Sequence, residues 1–148
     1  MHLIYGTNTD SVGIMIAGYF NRETGHPVEA PYTAMGWFKN GKVVAQAIYH
    51  NYTGPNVEIH FNGPKCLNRK ALSDIADYVF KQIGCVRLTA RVYCTNEKIS
   101  QIVEKIGFKY EGRHKDYYLD NKGSLVDALS YAIFKEDGLK WIRNAQQT

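Results

Sequence analysis

The sequence predicts a mixed α/β domain of the α+β kind: a mostly antiparallel central sheet with helices packed on both faces. Three observations predict it. Asn40-Gly41 lies between two apolar runs and reads as a two-residue hairpin turn. Twice further on, the apolar residues switch from alternation to helical spacing. A strand-like run, RLTARVYC, stands between those two helical stretches. A strand reached through a helical crossover runs parallel to a sheet neighbour.

The elements follow in order. A short strand, Leu3–Tyr5, precedes a helix that begins near Thr9 or Asp10, with Ile16 and Phe20 on its buried side. Gly13 and Gly18 weaken that helix locally. Three antiparallel strands follow, Thr33–Lys39, Lys42–Asn51 and Asn56–Phe61, joined at Asn40-Gly41 and at Thr53-Gly54-Pro55-Asn56. Leu72, Ile75, Ala76, Val79, Phe80 and Ile83 then make one apolar helix face that Gly84 ends. Arg87–Cys94 is the next strand. Ile99, Ile102, Val103 and Ile106 form a second helical stripe, capped by Thr95 or Asn96 and stopped at Gly107. Strands at Phe108–Tyr118 and Leu125–Phe134, with a turn at Asp120–Gly123, precede a short tail, Gly138–Arg143, that carries Trp141.

Composition narrows the class. A chain of 148 residues suits one domain, 1–148, and shows no repeat, linker or low-complexity segment. No apolar run approaches the ~20 residues of a membrane span. The start, MHLIYGTNTD, has no basic region followed by an apolar stretch, so a secretory leader is not expected. Cys66, Cys85 and Cys94 are odd in number with no CxxC, which points to reduced thiols and a cytoplasmic location. A net charge of +4, spread along the chain, does not indicate nucleic acid. No spacing among the histidines and cysteines supports a metal.

The run from Asn96 carries a specific resemblance. In the GNAT superfamily of acetyl-CoA-dependent N-acetyltransferases one helix commonly reads N-x-x-A/S-x-x-L-Y-x-x-x-G-F. Asn96, Ile102, Gly107 and Phe108 stand at matching positions, and Glu111, Gly112, Arg113, Asp127 and Tyr131 resemble the branch with ribosomal-protein N-acetyltransferases and divergent phage-encoded members. The resemblance covers roughly residues 33–142. It implies transfer of an acetyl group from acetyl-CoA to a primary amine of a protein, peptide or small molecule by direct attack. The alternative is a catalytically weak or inactive binding module on the same fold. A homodimer is left open.

The resemblance also implies a site. Acetyl-CoA would lie along Asn56–Phe61, where that strand splays from Arg87–Cys94, using backbone groups of Ile59, His60 and Phe61. Asn96 is both a helix cap and a ligand for the cofactor. The pyrophosphate loop, usually glycine-rich, reads GPKCLNRKALSD here. Lys65, Arg69 and Lys70 supply charge in place of those glycines, and Asn68 replaces one through its tolerance of the left-handed conformation. Glu58 is the first choice of base and His60 the second, both on one face of their strand. Val103 occupies the position of the family's usual tyrosine acid, so Tyr131, Tyr93 or a water takes that role.

Overall fold

Residues 1–63 and 68–146 are described in a computed structural model. Asn40 and Gly41 both take positive φ, 53° and 76°, which gives the turn the twist that joins β2 (Thr33–Lys39) to β3 (Lys42–His50). β1 (His2–Thr7) lies outside β2, and β4 (Asn56–Asn62) lies on the other side of β3. These four strands form an antiparallel meander.

The chain then crosses over through α2 (Arg69–Ala76), which continues as a π-helical turn over Asp77–Gln82. Its stripe of Leu72, Ile75, Ala76, Val79 and Phe80 is buried as the spacing predicts. The crossover returns β5 (Arg87–Tyr93) parallel to β4. α3 (Glu97–Lys105), β6 (Lys109–Leu119) and β7 (Leu125–Phe134) complete a seven-stranded sheet in the order β1-β2-β3-β4-β5-β7-β6. The tail is more ordered than its sequence suggests. It forms α4 (Lys135–Gly138) and α5 (Lys140–Gln146), and Trp141 Nε1 donates to the Ile106 carbonyl at 2.9 Å.

Helices cover the two faces unequally. The larger core holds Trp37, Ile59, Leu88, Val103, Phe108, Ile133 and Trp141 with the buried face of α2. On the opposite face α1 (Ser11–Thr24) packs Ile16, Ala17 and Phe20 on Ala34 and Ile48. Asp10 caps α1, accepting from Gly13 N at 2.8 Å and Thr7 N at 2.9 Å. Gly13 is required rather than merely tolerated: a Cβ there would meet the Thr7 carbonyl at 2.0 Å, so glycine lets the helix touch β1. The polar side chains of β4, β5 and β6 on this face line an opening beside α1.

Among the described residues no helix is long and apolar enough to cross a membrane. Cys85 is buried and Cys94 half-buried, both as free thiols. Burial pushes the Cys85 thiol up. Cys66 lies outside the described residues.

Candidate functional site

The site begins where two strands part. β4 and β5 pair from Asn56↔Arg87 to Ile59↔Ala90 and no further. Beyond that point β4 stays with β3, through Ile48↔His60 and Gln46↔Asn62. β5 stays with β7, through Arg91↔Ser130 and Tyr93↔Ala128. The sheet therefore opens into a cleft of about 720 Å³. His60, Phe61 and Asn62 form one wall, Arg91, Val92 and Tyr93 the other, and Asn96, Ile99 and Ile102 reach it from the start of α3. Among the described residues, backbone groups of β4 that face the gap have no strand partner beyond Ile59, so an extended ligand can complete their pairing.

A smaller recess of about 360 Å³ opens beside it on the α1 face. Phe20, His26, His60, Arg91 and Tyr118 line both openings and mark their junction. Glu58, 7% exposed, forms an ion pair through Oε1 with Arg91 Nη1. Its Oε2 accepts from Asn51 Nδ2 at 3.1 Å and lies 3.6 Å from His50 Nε2. His60 Nε2 is 2.6 Å from His50 Nε2, and the His26 and His60 ring centres are 4.7 Å apart.

Burial decides the charge state of this cluster. It holds the His60 ring down to about 3, and neighbouring His26 and His50 add to the effect. It lowers His26 and His50 as well. All three imidazoles are therefore neutral at pH 7. Tyr118 is raised, chiefly by burial, and stays a phenol. It stacks on Tyr93 at 4.1 Å and donates to the Arg91 carbonyl at 3.4 Å. Among the described residues no group of three or more His, Cys, Asp or Glu is arranged to hold a metal ion.

The residues expected from sequence fall in three places. Glu58 and His60 share the recess, while Ile59, Phe61 and Asn96 line the cleft. Asn96 caps α3, its Oδ1 accepting from Ile99 N at 3.2 Å, and among the described residues its Nδ2 has no partner. Lys65 lies outside the described residues.

Asn68, Arg69 and Lys70 are at the start of α2 and none lines either opening. The left-handed conformation expected of Asn68 is corrected by the structure. Its φ is −77° and ψ 167°, because an N-cap needs extended backbone for its side chain to reach Ala71 N, here at 2.8 Å. Lys70 is held by Asp74 at 2.9 Å. Tyr131, 2% exposed, packs in the main core with its ring edge-on to Tyr110, and Val103 is wholly buried there too.

Four residues of the recess were not foreseen: His26, His50, Arg91 and Tyr118. A signal existed for one. His50 pairs with Glu58 across the hairpin that ends at the Thr53–Asn56 turn.

No protein-family model and no curated protein sequence matches the chain. Solved structures do. A spermidine N-acetyltransferase chimera based on the Vibrio cholerae enzyme superposes with a TM-score of 0.75 at 16% identity, covering 94% of this chain and 99% of that one. The fold is that of the GNAT N-acetyltransferases. The ribosomal-protein-S18-alanine N-acetyltransferase of Escherichia coli gives a TM-score of 0.68 at 18% identity, over 90% of this chain and 94% of its own. A probable acetyltransferase gives 0.60 at 22% identity, over 72% of this chain and 63% of that one. In this GNAT fold the parting of β4 from β5 and the α3 start sit where the sequence resemblance expects them.

Proposed function

We propose that this protein is an N-acetyltransferase that moves an acetyl group from acetyl-CoA to a primary amine by direct attack. The observation that carries it is the fork between β4 and β5, which opens directly onto a recess holding Glu58 and His60. The two neighbours named above, acting on spermidine and on a ribosomal-protein alanine, support the reaction class.

The residues present fit the cofactor. The unpaired stretch of β4 from His60 onward offers backbone groups to an amide-bearing arm, with Asn96 Nδ2 as a further donor. Ile99 and Ile102 give that arm an apolar wall. Arg69 and Lys70 open α2 and would meet the phosphates, whose charge competes with Asp74 for Lys70. When bound, acetyl-CoA supplies the acetyl thioester.

The chain's own residues then do three things. His60, at the junction of the openings, accepts the proton of the amine. Glu58, paired with Arg91 and 3.6 Å from His50 Nε2, offsets positive charge in the recess. Tyr118, held as a phenol, keeps its O–H on the Arg91 carbonyl and so fixes the wall of the same junction. Three neutral imidazoles and an arginine disfavour an ammonium, so an amine of low pKa is the better acceptor. A peptide α-amine, at roughly 7.7–8.0, is neutral far more often than a lysine at about 10.4.

A second reading, a GNAT-fold binding module, is favoured by Val103, which is buried at the position of the usual tyrosine. Calorimetric titration with acetyl-CoA and coenzyme A, followed by a thiol-release assay over peptide, lysine and polyamine acceptors, separates the two. Micromolar binding with turnover is expected. Binding without turnover on any amine supports the module, and no binding at millimolar cofactor overturns both.

A further inference from the structure

On the α1 face, the His50 and His60 rings meet edge to edge. Their planes differ by 11°, their centres are 4.7 Å apart and their Nε2 atoms 2.6 Å apart. A nitrogen sits on the rim of its ring, so centres this distant with nitrogens this close place the rings rim to rim. A contact of that length between two imidazole nitrogens needs one proton between them, on one side only. Two neutral rings must then hold opposite tautomers.

We propose that His50 and His60 act as one proton-accepting unit, His60 meeting the acceptor amine and His50 taking the resulting charge beside Glu58. The inference rests on the acetyl-transfer reading. His60 lines both openings, whereas His50 lines only the recess. The carboxylate of Glu58 is divided between its neighbours: Oε1 serves Arg91, and Oε2 faces Asn51 and His50. Groups facing the pair come from every element around it: Glu58 from β4, Arg91 from β5, Tyr118 from β6, and His26 and Glu29 from the segment after α1.

The balance of these groups favours charge on His50 over His60. Every influence on His60 opposes protonation, namely burial, His26 and His50. On His50, burial and Arg91 oppose it, but Asn51 and Glu29 favour it. His60 alone is thus a weak base, and passing the proton onward is what makes it useful. In the resting state His60 Nε2–H donates to His50 Nε2, which leaves His60 Nδ1 as the acceptor. The amine N–H bond breaks as its proton bonds to His60 Nδ1. The His60 Nε2–H bond breaks as that proton bonds to His50 Nε2. The amine becomes neutral and nucleophilic, and His50 becomes an imidazolium beside the Glu58 carboxylate. His50 acts through His60 and is a positioning residue.

Two measurements on the full chain test this. Nitrogen-15 NMR of labelled histidines, without cofactor, should show His60 protonated on Nε2 and His50 on Nδ1. A proton on His60 Nδ1, or the same tautomer in both rings, overturns the proposal. His50→Gln keeps a hydrogen-bonding group beside His60 but cannot accept the relayed proton. It should lower kcat roughly ten- to hundredfold near pH 7, with KM for acetyl-CoA unchanged. The deficit should shrink toward about pH 9, where an α-amine arrives already neutral. An equal deficit at every pH overturns the relay. A wild type that acetylates no amine overturns the acetyl-transfer reading and the role with it, and the labelled rings still decide whether the pair is built as described.

Discussion

Asn96 caps α3, and the proposed function gives the same side chain a second role at the cofactor; serine separates the two. Its Oδ1 caps α3 by accepting from Ile99 N at 3.2 Å, and its Nδ2, without a partner among the described residues, is the group the proposed function assigns to acetyl-CoA at the edge of the cleft. Asn96→Ala removes both. Loss of the cap costs about 1 kcal/mol, and in a chain of this size that lowers Tm by about 2–4 °C. Loss of one hydrogen bond to the cofactor costs about 1–2 kcal/mol, which raises Kd roughly five- to thirtyfold. Asn96→Ser keeps a capping oxygen and deletes the amide donor. Its Tm should stay close to wild type while its affinity falls as far as that of the alanine variant. Thermal unfolding and calorimetric titration on the three proteins read the two effects independently. A serine variant that binds acetyl-CoA as tightly as wild type would show that Asn96 only caps the helix.

Three further outcomes follow from the cluster at the fork. His60 is held at about 3 against an ordinary 6.5, so the native state refuses a proton that the unfolded chain takes. Stability is full above pH 6.5 and falls as pH drops toward 3, by at most about 5 kcal/mol. His60→Phe should flatten urea midpoints measured from about pH 7 to 4, and unchanged slopes would refute the assignment. Glu58→Gln leaves Arg91 without its counter-charge and should cost about 1–3 kcal/mol, because Arg91 keeps some contact with water. The same variant should lower turnover more than acetyl-CoA affinity, and a wild-type rate across about pH 6–9 would remove Glu58 from the reaction. Peptide α-amines should be acetylated faster than lysine side chains near pH 7.5, and equal kcat/KM for the two would contradict a site that favours neutral amines.

Much of the frame was legible because it rests on local rules. The NG turn, the stripes of α2 and α3 and the parallel return of β5 each follow from a few neighbouring residues. The tail was not, because its order comes from distant contacts: Trp141 onto the end of α3 and against Phe108, and α5 packed on α2. The recess escaped for a related reason. Tyr118 lies on β6 beyond two register shifts, between Tyr110 and Gly112 and between His114 and Tyr118, so counting along the strand does not place it. His26 and Glu29 reach the recess from a segment whose sequence has no period to follow. Arg91 sat in plain alternation on β5, but its importance depends on where the β4 pairing stops, and pairing length is a tertiary property.

That stopping point explains why cleft and recess adjoin. Backbone pairing ends at Ile59 and Ala90, and Arg91, the next residue of β5, reaches back to Glu58 on β4. A side-chain bridge thus spans the two strands just where the backbone pairing ends. Tyr118 ties its hydroxyl to the Arg91 carbonyl at the same fork. One ion pair therefore bridges the fork at the mouth of the cleft and also sets the charge beside the imidazoles. Glutamine at 58 keeps an oxygen to accept from Arg91, so the fork should hold while the charge behind His50 disappears. A split effect, on turnover more than on cofactor binding, would mean that Glu58 acts mainly through charge. A matching loss in both would mean that its main contribution is to hold the fork.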